Sequence, residues 1–235
     1  MKKSHYVFLL LFLLVGCERE VTTLLDKDGL KYEINDRKPF SGRYVEYFDN
    51  GQKKKEGSYR HGKEQGIWVS WYLNGQKNEQ TVYKHYMRNG VWIKWYESGQ
   101  KGREIHYQDN VRNGLDITWY ENGQKFHETS YENGVKHGLW TLWYENGDKK
   151  EQLIYNDNKV REITRYHGGK KNGLWALWYD NGNKKEEGHY KNGKLDKGYS
   201  QWYESGRLKE QGFFKGSVKN GLWITWYENG NKKQE

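Results

Sequence analysis

The sequence predicts an all-β protein, an antiparallel meander of about eight 24-residue hairpin repeats. Three observations carry this reading. A phrase close to Trp-Tyr-Glu-Asn-Gly recurs and ends at Gly51, Gly75, Gly99, Gly123, Gly147, Gly182, Gly206 and Gly230; the intervals are 24 residues, with a single 35 between Gly147 and Gly182. Aromatic residues make up 17% of the chain, with 12 Trp and 20 Tyr, although all hydrophobic residues together reach only 34%. Every copy of the phrase ends in Asn-Gly or Ser-Gly, dipeptides that turn the chain. A fixed period of this length means stacked units that touch only their neighbours, not one globular core.

Composition sharpens the picture. Few aliphatics and 30% charged residues often mean disorder. Here the aromatics recur in register, so aromatic ladders supply the buried area that offsets chain entropy. There are 28 Gly and one Pro, Pro39, which predicts many turns and no proline-rich linker.

The elements follow in chain order. Lys2 and Lys3 precede an apolar run over 6–15, too short to remain as a spanning helix. The run ends in Leu14-Val15-Gly16-Cys17, which resembles a bacterial lipobox. Residues 1–16 are therefore expected to be a lipoprotein signal peptide, with Cys17 as the lipidated residue and 17–29 as a tether. Two or more acyl chains on Cys17 would hold the protein firmly on a membrane. As the only cysteine, Cys17 rules out an intramolecular disulfide. Loss of 1–16 would remove Lys2 and Lys3 and no acid, and lower the formal charge from +9 to +7. Asp26-Lys27-Asp28-Gly29 reads as a plain turn, since the remaining ligands of a calcium loop are missing.

The repeat array is expected over 30–235. Its first unit, from Lys31 through Pro39-Phe40-Ser41-Gly42 to Phe48, lacks Trp, as terminal caps often differ from the interior. With each anchoring Gly as zero, and the long interval counted back from Gly182, position 20 is Trp71, Trp95, Trp119, Trp143, Trp178, Trp202 and Trp226. Position 17 is Trp68, Trp92, Trp140, Trp175 and Trp223, but Asp116 in one unit. Position 8 is aromatic throughout, from Tyr59 to Phe214, and position 15 is usually Gly, as at Gly66 and Gly173. Leu222 to Tyr227 reads as a strand, bounded by Gly and by Asn-Gly. A polar strand such as Lys184 to Tyr190 and a second turn at Asn192-Gly193 complete the unit.

Two features stay open at this level. A two-residue type I′ turn would set Tyr83 opposite Gly66; a three-residue turn with a G1 bulge would shift the pairing by one and move the ring to the other face. The acid that often precedes the Asn favours the bulged turn. The long interval holds 11 extra residues, about one strand and one turn, and an irregular insertion is expected around 148–166: an extra strand that flips the parity of the meander, a loop, or a break between sub-arrays.

The clearest copies, Trp119 to Lys125 with Tyr131 and His137 to Trp140, and Trp178 to Tyr190, resemble the bacterial variant of the MORN repeat. The resemblance covers roughly residues 30 to 235. It implies an elongated, open, twisted antiparallel sheet of one layer. Proteins of this kind are often labelled as YwqK-type antitoxins, and MORN repeats elsewhere are tied to membrane lipid and protein scaffolding. The resemblance supplies no catalytic residue.

No nucleophile, phosphate-loop or dinucleotide motif is present, and the histidines fall at scattered frame positions instead of stacking as metal ligands. No enzyme activity, metal or cofactor is expected. Candidate binding residues are the position-2 lysines Lys53, Lys77, Lys101, Lys125, Lys149 and Lys184, which adjacent hairpins would space by about 10 Å. They could form a cationic ridge for anionic lipid or envelope-polymer phosphates, unless acids at position −2, such as Glu97 and Glu121, offset them. Trp202 represents the aromatic ladder as a platform for sugars. The expected function is a membrane-anchored envelope scaffold for a protein or an anionic polymer. A toxin-neutralising partner and a glycan binder are the alternatives, and nucleic acid is not the partner expected. An outer-membrane or surface address is favoured over the inner membrane.

Overall fold

A computed structural model describes residues 20–234. A small hairpin comes first, β1 (Leu25–Lys27) with β2 (Leu30–Tyr32), turned by Asp28-Gly29. One antiparallel sheet holds the rest. Its first part is β3 (Gly42–Tyr47), β4 (Lys53–Arg60), β5 (Lys63–Trp71), β6 (Lys77–Lys84), β7 (Met87–Arg88), β8 (Gly90–Trp95), β9 (Lys101–Gln108), β10 (Val111–Trp119), β11 (Lys125–Glu132), β12 (Val135–Trp143) and β13 (Lys149–Asn156). It continues through β14 (Lys159–His167), β15 (Lys170–Trp178), β16 (Lys184–Lys191), β17 (Lys194–Trp202), β18 (Leu208–Lys215), β19 (Val218–Trp226) and β20 (Lys232–Gln234). Strands pair in chain order, apart from β7 and β8, two pieces of one strand that both pair with β6. Among the described residues β3 and β20 do not pair with each other, so the sheet is open.

Two turn types alternate. At the anchor, the Tyr72 carbonyl accepts from Gly75 N–H at 3.0 Å, and Tyr72 N–H donates to Gln76 at 2.8 Å. Gly75 sits at φ +83°, where glycine alone is unstrained, so this is the three-residue bulged turn. The other turn has two residues, both at positive φ, as at Asn192 (+51°) and Gly193 (+83°): a type I′ turn.

The bulged turn does not move Tyr83 to the opposite face. Trp71 pairs with Lys77, but Ser70 pairs with Glu79, so Asn78 is an extra residue. This second bulge cancels the first, and Tyr83 lies opposite Gly66 after all. A third irregularity lies at position 15, where Gly66 takes φ +72°. Lys197 replaces Gly there in one unit and is held at φ +79°.

The long interval contains a whole extra strand, β14, with type I′ turns at both ends, Asp157-Asn158 and Gly168-Gly169. The sheet runs through it without a break. An odd strand reverses the chain direction of all later repeats. Anchor turns up to Gly147 line one rim, and those at Gly182, Gly206 and Gly230 line the other. The faces exchange as well. Before β14, one face, here the front, carries Trp68, Trp92 and Trp140, in cross-strand register with Thr81, Ile105 and Thr129. Trp140 pairs with Leu153, and Leu153 with Ile163, on the front; Trp175 pairs with Thr164, on the back. From there Gly188, Tyr199 and Gly212 extend the aromatic row along the back face.

The N-terminal segment expected as a tether is built into the fold from Glu20 onward. Val21 bridges Tyr44 and is buried, and its carbonyl accepts from Val45 N–H at 3.0 Å. Val21, Phe40, Tyr59 and Trp68 form a buried cluster, backed by Leu24, Tyr44 and Tyr83. This cap covers the edge of β3, which would otherwise offer free backbone groups.

Candidate interaction surface

The recurrent phrase proves to be a set of links between neighbouring repeats. The hydroxyl of Tyr72 donates to the Trp95 carbonyl at 2.7 Å, and Tyr96, Tyr120, Tyr179 and Tyr203 repeat that bond one unit on. Asn74 Nδ2 donates to the Glu97 carbonyl at 2.7 Å, while its Oδ1 accepts from Gln76 N–H at 2.9 Å. Asn122 and Asn181 do the same. The turn that closes one hairpin thus also holds the next.

The position-2 lysines are built into a tile. Lys101 Nζ lies 2.8 Å from Glu104, three residues on, and 5.8 Å from the centre of the Trp119 ring, at position 20 of the same repeat. Lys125 pairs with Glu128 and lies over Trp143; Lys184 pairs with Glu187 at 2.5 Å and lies over Trp202 at 5.3 Å. Lys77 lies over Trp95 and bonds Gln80, Lys53 pairs with Glu56, and Lys149 lies over Tyr166 of the inserted strand. Bulging out the residue at position 3 brings positions 2 and 5 together. The acids at position −2 form no ion pair with these lysines among the described residues; at Lys53, Lys101, Lys125 and Lys184 the offset comes from position 5. Burial pushes the Glu104 carboxyl up, but hydrogen bonds from Lys101 and His106 outweigh it and hold the group below its usual range.

Nor do the six lysines make one ridge. Five, from Lys53 to Lys149, lie on the back face, whereas Lys184 lies on the front and near the opposite rim, because β14 exchanges the faces between them. Trp202 goes with Lys184, whose ammonium lies over its ring. Cys17 lies outside the described residues.

A second ladder escaped sequence reading. The cation at position 13 lies over the position-8 ring of the next repeat: Arg88 over Tyr107, Arg112 over Tyr131, Lys136 over Tyr155 and Lys171 over Tyr190. The signal was present in the frame, but the partners are 19 residues apart and meet only once register is known. Buried and half-buried phenols accompany this row. Burial and a hydrogen bond with Glu64 push Tyr83 up to about 12, and burial raises Tyr59 and Tyr199 further.

Asp116 stands where the row calls for Trp. It is 1% exposed and accepts a two-pronged bond from Arg103, Nε to Oδ1 at 3.0 Å and Nη2 to Oδ2 at 2.8 Å. Arg112 Nη1 approaches the same carboxylate at 3.3 Å. His127, bonded to Thr118 Oγ1 at 2.6 Å, is held below its usual range by burial, against the pull of Asp116. This is a charge-compensated patch in the front row. Among the described residues no group of His, Cys, Asp and Glu could hold a metal.

An open sheet of hairpins, tied unit to unit by one recurring phrase, defines a repeat protein. The chain belongs to the MORN repeat variant family, which it matches at residues 41–61, 64–85, 88–109, 136–157, 171–192 and 219–235, more than half its length. The units bearing Asp116 and Tyr199 fall between matched segments. No curated protein matches the chain. MORN repeats are generally protein or membrane interaction modules, and the family is typically non-catalytic.

Proposed function

We propose that this protein is a non-enzymatic, membrane-anchored lipoprotein of the bacterial envelope that acts as an interaction scaffold. One observation carries the reading. The tile of lysine, position-5 partner and Trp faces backward at Lys77, Lys101 and Lys125, before β14, and forward at Lys184, after it. A surface repeated in this way suits multivalent contact, in which weak sites add through effective concentration. The partner is a protein or an anionic envelope polymer, reached at lysines whose intramolecular ion pairs are exposed and weak enough to exchange. Lipidated Cys17 supplies the anchor.

Crosslinking in intact cells, followed by identification of the captured species, tests the scaffold. Recurrent capture through lysines of both halves is expected; capture through one half alone would refute the two-faced arrangement. Labelled palmitate should enter the protein and fail to enter a Cys17→Ser variant. Equal labelling of both would end the lipoprotein reading.

A further inference from the structure

The front face of the first full repeat breaks the pattern at two points. Position 13 is Glu64 there, where later repeats place Arg88, Arg112, Lys136 or Lys171 over the next repeat's tyrosine. Among the described residues no cation lies over the corresponding ring, Tyr83. Glu79, in the neighbouring strand, receives only neutral donors, Trp92 Nε1 at 2.6 Å and Thr81 Oγ1 at 3.4 Å, and forms no ion pair among the described residues. Lys94, which pairs with it across the ladder, bonds Asn78 and lies over Tyr72 instead.

Between these groups the face sinks into a depression of about 240 Å³, lined by Lys55, Glu64, Trp68, Glu79, Thr81 and Tyr83. Lys55 Nζ lies 4.7 Å from the centre of the Trp68 ring and 3.7 Å from Glu64. The depression therefore already holds one ammonium on one aromatic face beside one carboxylate. Tyr83 offers a second aromatic face with no cation over it, its hydroxyl bonded by Glu64 and Arg88, and Glu79 is a second carboxylate with no ion pair among the described residues. Among the residues that line the depression two carboxylates face one ammonium, with Arg88 bonded at the Tyr83 hydroxyl beside them.

We propose that this depression binds a primary ammonium group supplied from outside, seated over Tyr83 between Glu64 and Glu79. The incoming cation completes in trans the cation–aromatic contact that position 13 makes in cis elsewhere in the array. The volume lies below the roughly 300–1,000 Å³ of sites for drug-sized ligands, and so fits one lysine side chain or one end of a linear amine. The site stands independently of the scaffold reading, since it needs neither the lysine tiles nor the anchor.

The test is titration of the full chain with an acetylated, amidated tetralysine peptide, with the same peptide acetylated at every Nε, and with spermidine, followed by the indole N–H resonances of Trp68 and Trp92. Saturable binding of the unmodified peptide identifies a protein lysine as the ligand, and binding of spermidine alone identifies a free polyamine. Glu79→Gln and Glu64→Gln, which preserve shape, should each weaken binding roughly five- to tenfold, the scale of one partly exposed cation contact. Lys55→Ala should strengthen it by removing the internal competitor, and Glu121→Gln, at an exposed turn, should leave it unchanged. Failure of both unmodified amines to bind, equal binding of the acetylated peptide, or indifference to both Glu64→Gln and Glu79→Gln overturns the proposal.

Discussion

Asp116→Asn isolates what the buried carboxylate contributes to the front row. The substitution keeps the shape and one acceptor, but places an amide NH₂ against a guanidinium that already donates. One prong of the Arg103 fork is lost, and with it the attraction of Arg112 across 3.3 Å. A hydrogen bond to a charged group is worth about 1.5–3 kcal/mol, and breaking a fully buried pair costs about 3–5 kcal/mol. Arg103 and Arg112 remain 37% and 38% exposed, so water recovers much of what they lose. The expected destabilisation is therefore near the lower figure, about 2 kcal/mol. Urea unfolding, followed by tryptophan fluorescence, should show a lower midpoint at an unchanged slope. A double-mutant cycle with Arg103→Gln should return a coupling energy above about 1 kcal/mol. A midpoint within error of the parent, or a coupling near zero, would show that the pair is no more than a surface contact.

Three further outcomes are expected. Lys197→Gly should stabilise the protein by about 0.5–1 kcal/mol, because left-handed backbone costs an L-residue about 1–2 kcal/mol and glycine's extra unfolded-state entropy offsets part of the gain; Gly173→Lys, at the equivalent position, should destabilise it, and the same sign for both in urea unfolding would be inconsistent with strain at position 15. His127 is held below its usual range by burial, so below about pH 6.5 the unfolded chain takes up a proton that the folded chain refuses. Thermal melts should show stability falling as the pH is lowered through that window, with a smaller fall in His127→Gln. Deletion of residues 159–169 removes β14 and one turn, and should return Lys184 to the face and rim of Lys149; a short amine-reactive crosslinker should join these two lysines in the deletion variant and not in the parent.

Much of this fold is legible in the sequence, and the illegible parts have a common cause. Strand, turn and period follow from Leu222 to Tyr227, from the Asn-Gly pairs and from the spacing of the tryptophans, all properties of neighbouring residues. The face of Tyr83 is not, because two bulges of opposite effect, at Gly75 and Asn78, cancel, and only the first has a clear marker. The 11 extra residues announce a parity change. That the tryptophan row also crosses to the other face, and carries Lys184 away from the other lysines, follows only from following register through β13, β14 and β15. Asp116 is visible as a departure from Trp, but its partner Arg103 is 13 residues away on the preceding strand, and nothing in the spacing selects it. Lys101 with Glu104 could have been found, since an acid three residues after the lysine recurs in several repeats.

The bonds from Tyr72, Tyr96, Tyr120, Tyr179 and Tyr203 each reach 23 residues ahead. Among the described residues no part of the main sheet waits for a distant segment to close it. Folding can begin at any unit and spread to its neighbours at low contact order. A chain delivered N-terminus first can therefore settle hairpin by hairpin, with the Val21 cap and the first unit formed before the last repeats arrive.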